Sequence, residues 1–182
     1  MLTTTRRWAV RAALAVVAAL AASTVLGAAS LSSLVPASNE IAGWAALQAD
    51  TAAASPDQLW KIYDGGDGEW KAAGVTSAFQ RYYKNGTTGK VLTLALHKTG
   101  TDWQKAKALY NKKNPDINGQ AGYQTVQLQS AGSLATPAQG LKGHSWGKYY
   151  YCTVTVNGTS AAEVSAAKLF LQKTAAKIAA NG

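Results

Sequence analysis

The chain has 182 residues, with 18 Lys and Arg against 9 Asp and Glu, two His and one Cys. A single cysteine, Cys152, excludes an internal disulfide framework, and two His far apart in sequence exclude the short-range ligand pairs of a zinc site and a Cys-x-x-Cys-His haem attachment. Positive charge is scattered, with Lys112-Lys113 the only adjacent lysines. This argues against a nucleic-acid partner, whose readers concentrate charge on one element, and suits adhesion to anionic envelope polymers or lipid headgroups.

Residues 1–29 read as a secretory signal peptide. Arg6, Arg7 and Arg11 supply the positive start, Ala12 to Ala22 is an unbroken apolar run, and small residues follow at Gly27, Ala28, Ala29 and Ser30. Cleavage after Gly27 and cleavage after Ala29 both fit. The run falls short of the roughly 20 residues of a spanning helix, so removal is expected rather than anchoring, leaving no stable transmembrane segment. The expected location is exported: periplasmic, cell-wall associated or secreted. Thr5-Arg6-Arg7-Trp8 resembles a twin-arginine signal, which leaves the export route open. Removal lowers the net charge of +9 by three. The roughly 150 residues that remain suit one domain held by its core alone.

Residues 30–54 read as an extended N-terminal segment with a short strand near Trp44 to Asp50, and residues 55–182 as one α+β domain. Ser55-Pro56-Asp57-Gln58 is patterned as a capping box opening a helix through Leu59, Trp60 and Tyr63. Gly65-Gly66 stops it, and Asp67 is expected to cap a second short helix that ends at Gly74. Strands follow over Val75–Tyr83 and Lys90–Lys98, the second with Leu92, Leu94 and Leu96 on one face and His97 on the other. Asn85-Gly86 marks a hairpin loop between them. Thr101-Asp102-Trp103-Gln104 reads as another capping box, for a helix carrying Ala106, Leu109 and Tyr110 and ending before Pro115. A strand is expected over Gln124–Ser130, a loop over Ala131–Gly147, and a last strand over Lys148–Val156 with Tyr150, Cys152, Val154 and Val156 on one side. Asn157-Gly158 then turns the chain into an amphipathic helix, capped by Ser160 and Glu163, that runs to about Ala180. The implied fold is α+β: an antiparallel sheet of five or more strands with helices packed on it, built on a strand-strand-helix order that occurs twice.

Few residues carry a chemical signature. Asp64-Gly65-Gly66-Asp67-Gly68-Glu69 lacks the spacing of an EF-hand loop and the Lys-Ser/Thr of a phosphate loop, and reads as helix stop, turn and cap. Gly143-His144-Ser145-Trp146-Gly147 has the outline of a nucleophile elbow, but a strand follows it, and no His lies downstream. Cys152 reads as a buried, inert thiol. Neither a metal nor a cofactor is implied. Trp146, Tyr149 and Tyr151 are the candidate ligand-binding residues: if Tyr150 faces the core, Tyr149 and Tyr151 face the other side of the sheet, near Thr93 and His97 if those strands are neighbours. Exposed aromatics there would bind a sugar, a peptide or a partner; helices packed over them would make them core.

The order Gly43-Trp44, Leu59-Trp60-Lys61-Ile62-Tyr63-Asp64-Gly65-Gly66, Gly74, Gly147-Lys148-Tyr149-Tyr150 and the Ala-rich Ala161–Ala180 resembles a bacterial family of exported domains of unknown function. The chain departs from that pattern at Asp64, where Asn is commoner, and at Asp67, where Ala is usual. The resemblance implies export and an α+β fold, and no activity. The reading is therefore a non-catalytic envelope or secreted module that binds or scaffolds an unidentified ligand or protein. The alternative is an enzyme whose site is assembled from Asp64, Asp67, Glu69 and His97.

Overall fold

The computed structural model describes residues 30–138 and 140–182; the signal peptide expected at 1–29 lies outside them. The architecture is α+β. Eight strands form one antiparallel sheet: β1 (Trp44–Ala46), β2 (Thr51–Ala53), β3 (Ser77–Asn85), β4 (Val91–Lys98), β5 (Gln124–Val126), β6 (Ala131–Ala135), β7 (Leu141–Gly147) and β8 (Tyr150–Val156). Their order is β1-β3-β4-β8-β7-β6-β5, with β2 also paired to β3. Among the described residues five α-helices accompany it: α1 (Trp60–Tyr63), α2 (Asp67–Ala72), α3 (Trp103–Lys113), α4 (Pro115–Asn118) and α5 (Ala161–Asn181).

The two faces are covered by different parts of the chain. On one, Leu92, Leu94 and Leu96 of β4 and Tyr150, Cys152, Val154 and Val156 of β8 pack against Ala167, Phe170, Leu171 and Ile178 of α5. On the other, Ala78 and Tyr151 pack against Leu59, Leu109 and Tyr110 from the segment of α1 and from α3. The sheet is thus a middle layer between helices. The strand-pair-then-helix order recurs as β3–β4–α3 and β7–β8–α5, with β4 and β8 neighbours and the two helices on opposite faces.

Local chemistry explains the elements read correctly. Asn85 Oδ1 accepts from the amides of Thr87 and Thr88 at 3.0 and 2.9 Å, which shapes the β3–β4 loop. The Ser160–Glu163 capping box is present at the start of α5, with the Ser160 amide donating to Glu163 Oε2 at 3.0 Å.

Other expectations are corrected. The stretch Ala131–Gly147 is not a loop but holds β6 and β7, while the strand expected over Gln124–Ser130 stops at Val126. Residues 30–54 are not separate from the domain. They supply β1 and β2, Leu34, Val35 and Trp44 lie in the core, Tyr83 Oη donates to Pro36 O at 2.6 Å, and Arg81 makes a bidentate pair with Asp50 at 2.7 and 2.6 Å.

Three caps also differ. Ser55 makes no capping bond and the Gln58 side chain accepts from Ala54 instead; Asp102, not Thr101, caps α3 by accepting from Gln104 N at 2.9 Å. Gly66 holds the cap position of α2, and Asp67, the first helical residue, pairs with Lys71 at 2.7 Å. An i,i+4 ion pair on the helix replaces the expected capping bond.

Candidate functional site

The register of the central strands sets the chemistry of the face beneath α1–α3. His97 of β4 lies opposite Tyr151 of β8, and Tyr151 opposite Trp146 of β7. His144 sits beside them on β7, opposite Ser133 of β6. Both histidines of the chain are therefore gathered around one tyrosine, although 47 positions separate them in sequence (97 to 144).

Both are sealed in. His97 is 1% exposed, with the Trp70 ring stacked on it at 4.4 Å. Its Nδ1 is hydrogen-bonded to the Tyr63 hydroxyl and its Nε2 has no partner. His144 is wholly buried, stacked on Tyr110 at 4.3 Å. Its Nε2 lies 3.4 Å from Asn114 Oδ1, which accepts only, so the ring proton belongs on Nε2 and Nδ1 accepts from Tyr151 Oη at 3.0 Å. Ser133 Oγ closes this network, accepting from Tyr110 Oη at 3.3 Å and donating to Asn114 Oδ1 at 3.0 Å. Burial lowers the His97 pKa to about 3 and that of His144 to about 4, so both imidazoles are neutral in ordinary buffers. Burial likewise raises the pKa of the Tyr63 and Tyr151 phenols. Each is a hydrogen-bonding group in a closed aromatic layer.

The carboxylates named with His97 point elsewhere. Asp64 ends α1, Asp67 pairs with Lys71, and Glu69 pairs with Lys112 and Lys113, each at 3.0 Å. The Lys71 and Lys112 hydrogen bonds lead the lowering of the Asp67 and Glu69 pKa values respectively. These residues do not converge with His97 on an open cavity. Among the described residues, no group of three or more His, Cys, Asp or Glu could hold a metal ion. Ser145 lies buried within β7, opposite Cys152, so no nucleophile elbow forms.

The three candidate aromatics fare differently. Tyr151 is 1% exposed beneath the helices and is core. Tyr149 is not on that face: β8 begins at Tyr150, and Tyr149 occupies the preceding turn, half-buried against the α5-side core. Trp146 stays partly open and is joined by a residue the sequence reading did not single out, Trp103, the first residue of α3 and 47% exposed. Their rings lie 6.2 Å apart at an interplanar angle of 20°, and Lys107 Nζ stands 6.0 Å from each centroid. Helical spacing puts Trp103 on the edge of the Ala106, Leu109, Tyr110 stripe, three residues before Ala106 and seven before Tyr110, so no pattern in the sequence marks it apart from core; its place in the first turn leaves it open beside Lys107.

No described helix is long and apolar enough to cross a membrane. A scan against known protein families, a search of curated proteins and a search of solved structures each found no match to this chain.

Proposed function

We propose that this chain is an exported, non-catalytic binding module whose recognition surface is the Trp103–Trp146 pair with Lys107, and whose ligand is an acidic polymer of the cell envelope. The observation that carries the reading is the offset stack of two partly exposed indoles with one ammonium 6.0 Å from both rings. A contiguous pair of partly exposed aromatics marks a contact surface where a single exposed one does not, and an indole face accepts the C–H face of a sugar ring while Lys107 meets an acidic substituent.

Trp fluorescence titrated with a soluble acidic polysaccharide such as alginate tests this. The expected result is a saturable change that disappears in Trp103→Ala and survives in Trp60→Ala, since Trp60 is 57% exposed on a different helix. An equal response from both variants overturns the reading.

Export is supported by the three-part N-terminus, and the fold bounds the cut: Leu34 and Val35 are at most 1% exposed and must be retained. The mature protein is expected to start between Ala28 and Ser33 by intact-mass analysis. A membrane-embedded chain still carrying Met1 would refute export with cleavage.

A further inference from the structure

We propose a second binding site, on the opposite face of the sheet, for a small monocarboxylic acid with an apolar tail or ring. A cavity of about 140 Å³ opens between the β7–β8 hairpin and the last turns of α5. Tyr150, Cys152 and Ile178 form its apolar floor, and Gln129, Ser130 and Lys148 stand at its exposed mouth. A void of this size admits one benzene-sized group or the end of a short acyl chain; apolar cavities near 150 Å³ take up benzene. Ser145, directly across the strand pair from Cys152, adds one small hydroxyl to an otherwise apolar lining.

Two features set this cavity apart from an accident of packing. The first is Gly147. At Gly132 a Cβ would lie 2.5 Å from Leu128 Cδ1, and at Gly143 it would lie 3.2 Å from Leu171 Cδ1, so crowding explains both glycines. At Gly147 a Cβ would meet Ser130 Oγ at 3.5 Å and Ile178 Cγ2 at 3.8 Å, ordinary contacts, and the backbone is not left-handed. A larger residue would fill the void there, yet the chain has glycine, with Ala175 and Ala179 facing it from α5. The second is Lys148. It takes the left-handed conformation at φ 46° in the two-residue turn between β7 and β8, where Asn, Asp or Gly is favoured. That strained position puts an ammonium at the mouth, where its Nζ donates to Gly182 O at 2.8 Å. A ligand carboxylate would take that donor while its tail fills the space left by Gly147.

Isoleucine-methyl NMR on the folded chain reads the site, because Ile178 lines it while Ile41, Ile62 and Ile117 do not. Octanoate, 4-methylbenzoate and the neutral 1-octanol are the probes. Either acid is expected to shift Ile178 saturably and leave the other three unmoved. Lys148→Gly should weaken the acids roughly five- to tenfold and leave octanol unchanged, while the melting temperature holds or rises because glycine suits the turn. Gly147→Leu and Ala175→Leu fill the void from the sheet and from the helix, so each variant that folds should abolish the shift. A silent Ile178 with all three probes, or a shift that persists in a folded filled variant, overturns the site. Acid affinity unaffected by Lys148→Gly overturns the carboxylate. Trp146 borders this cavity as well as the Trp103 surface, so the variant that separates the two sites is Trp103→Ala, which should leave the Ile178 response intact.

Discussion

Asp64 and Gly65 take consecutive left-handed conformations at φ 41° and 89°, whereas Gly66 sits at φ −90°. The expected glycine stop is therefore one residue earlier than the Gly65-Gly66 pair suggests, and an aspartate bears half of it. A Cβ at Gly65 meets nothing within 4 Å, so the cost of Gly65→Ala is conformational alone, about 1 kcal/mol or more in urea unfolding. Gly66→Ala escapes the left-handed cost but presses a Cβ on Tyr63 O at 3.3 Å and puts a poor N-cap on α2, so it should also destabilise; Asp67→Asn should leave the melting temperature unmoved with or without added calcium, since Asp67 holds only a solvent-screened pair with Lys71.

The histidines make a sharper case. Their folded pKa values, about 3 and about 4, lie below the ordinary 6.5, so the unfolded chain binds the extra protons. Their contribution is complete above pH 6.5 and is lost as pH falls toward 4, at roughly 1.4 kcal/mol per pH unit for each histidine. Chemical denaturation at pH 7, 5 and 4 should show this slope, and His97→Phe, which keeps the stack on Trp70, should remove about half of it.

At the scale of elements, what could be read depended on whether one face of the element is uniformly apolar. Helix α5 was legible because its lysines fall outside the buried arc, and Ser160→Ala should cost roughly 0.5–2 kcal/mol by thermal or urea unfolding. Strand β4 was legible because three leucines alternate along it. Strands β6 and β7 were not, because small and polar residues interrupt the apolar positions of both. Gly132, Ser133, Gly143, His144 and Ser145 are buried without alternation, and small or polar residues stand there because Leu128 and Leu171 press on one face while the His144 network occupies the other. The candidate site was half legible for the same reason. Strand parity puts Tyr151 on the His97 face, but it puts Tyr149 there too, Trp146 falls in the stretch that reads as a loop, and its partner Trp103 comes from a helix whose placement no local pattern specifies. The N-terminal segment hid its role too, since three-residue strands leave almost no period to read. A chain shortened to begin at Ser55 loses β1, β2, Leu34, Val35 and Trp44. It should show no cooperative thermal transition by circular dichroism.

For the molecule as a whole, one continuous sheet with helices on both faces explains how the domain holds together without a crosslink. Cys152, 1% exposed and with its thiol pKa raised by burial to about 12, is packing material. Ellman's reagent should react with it only as fast as the chain unfolds, and reductant should leave the melting temperature unchanged.

The central pairing of β4 with β8 also sets a clock. It joins Leu92–Lys98 to Tyr150–Val156, so the middle of the sheet stays open until almost the whole chain has been synthesised. Contacts this distant form late and slowly. A nascent chain lacking β8 can pair β1, β2 and β4 with β3, and β5 and β7 with β6, but the two halves of the sheet have nothing to join them until β8 is made.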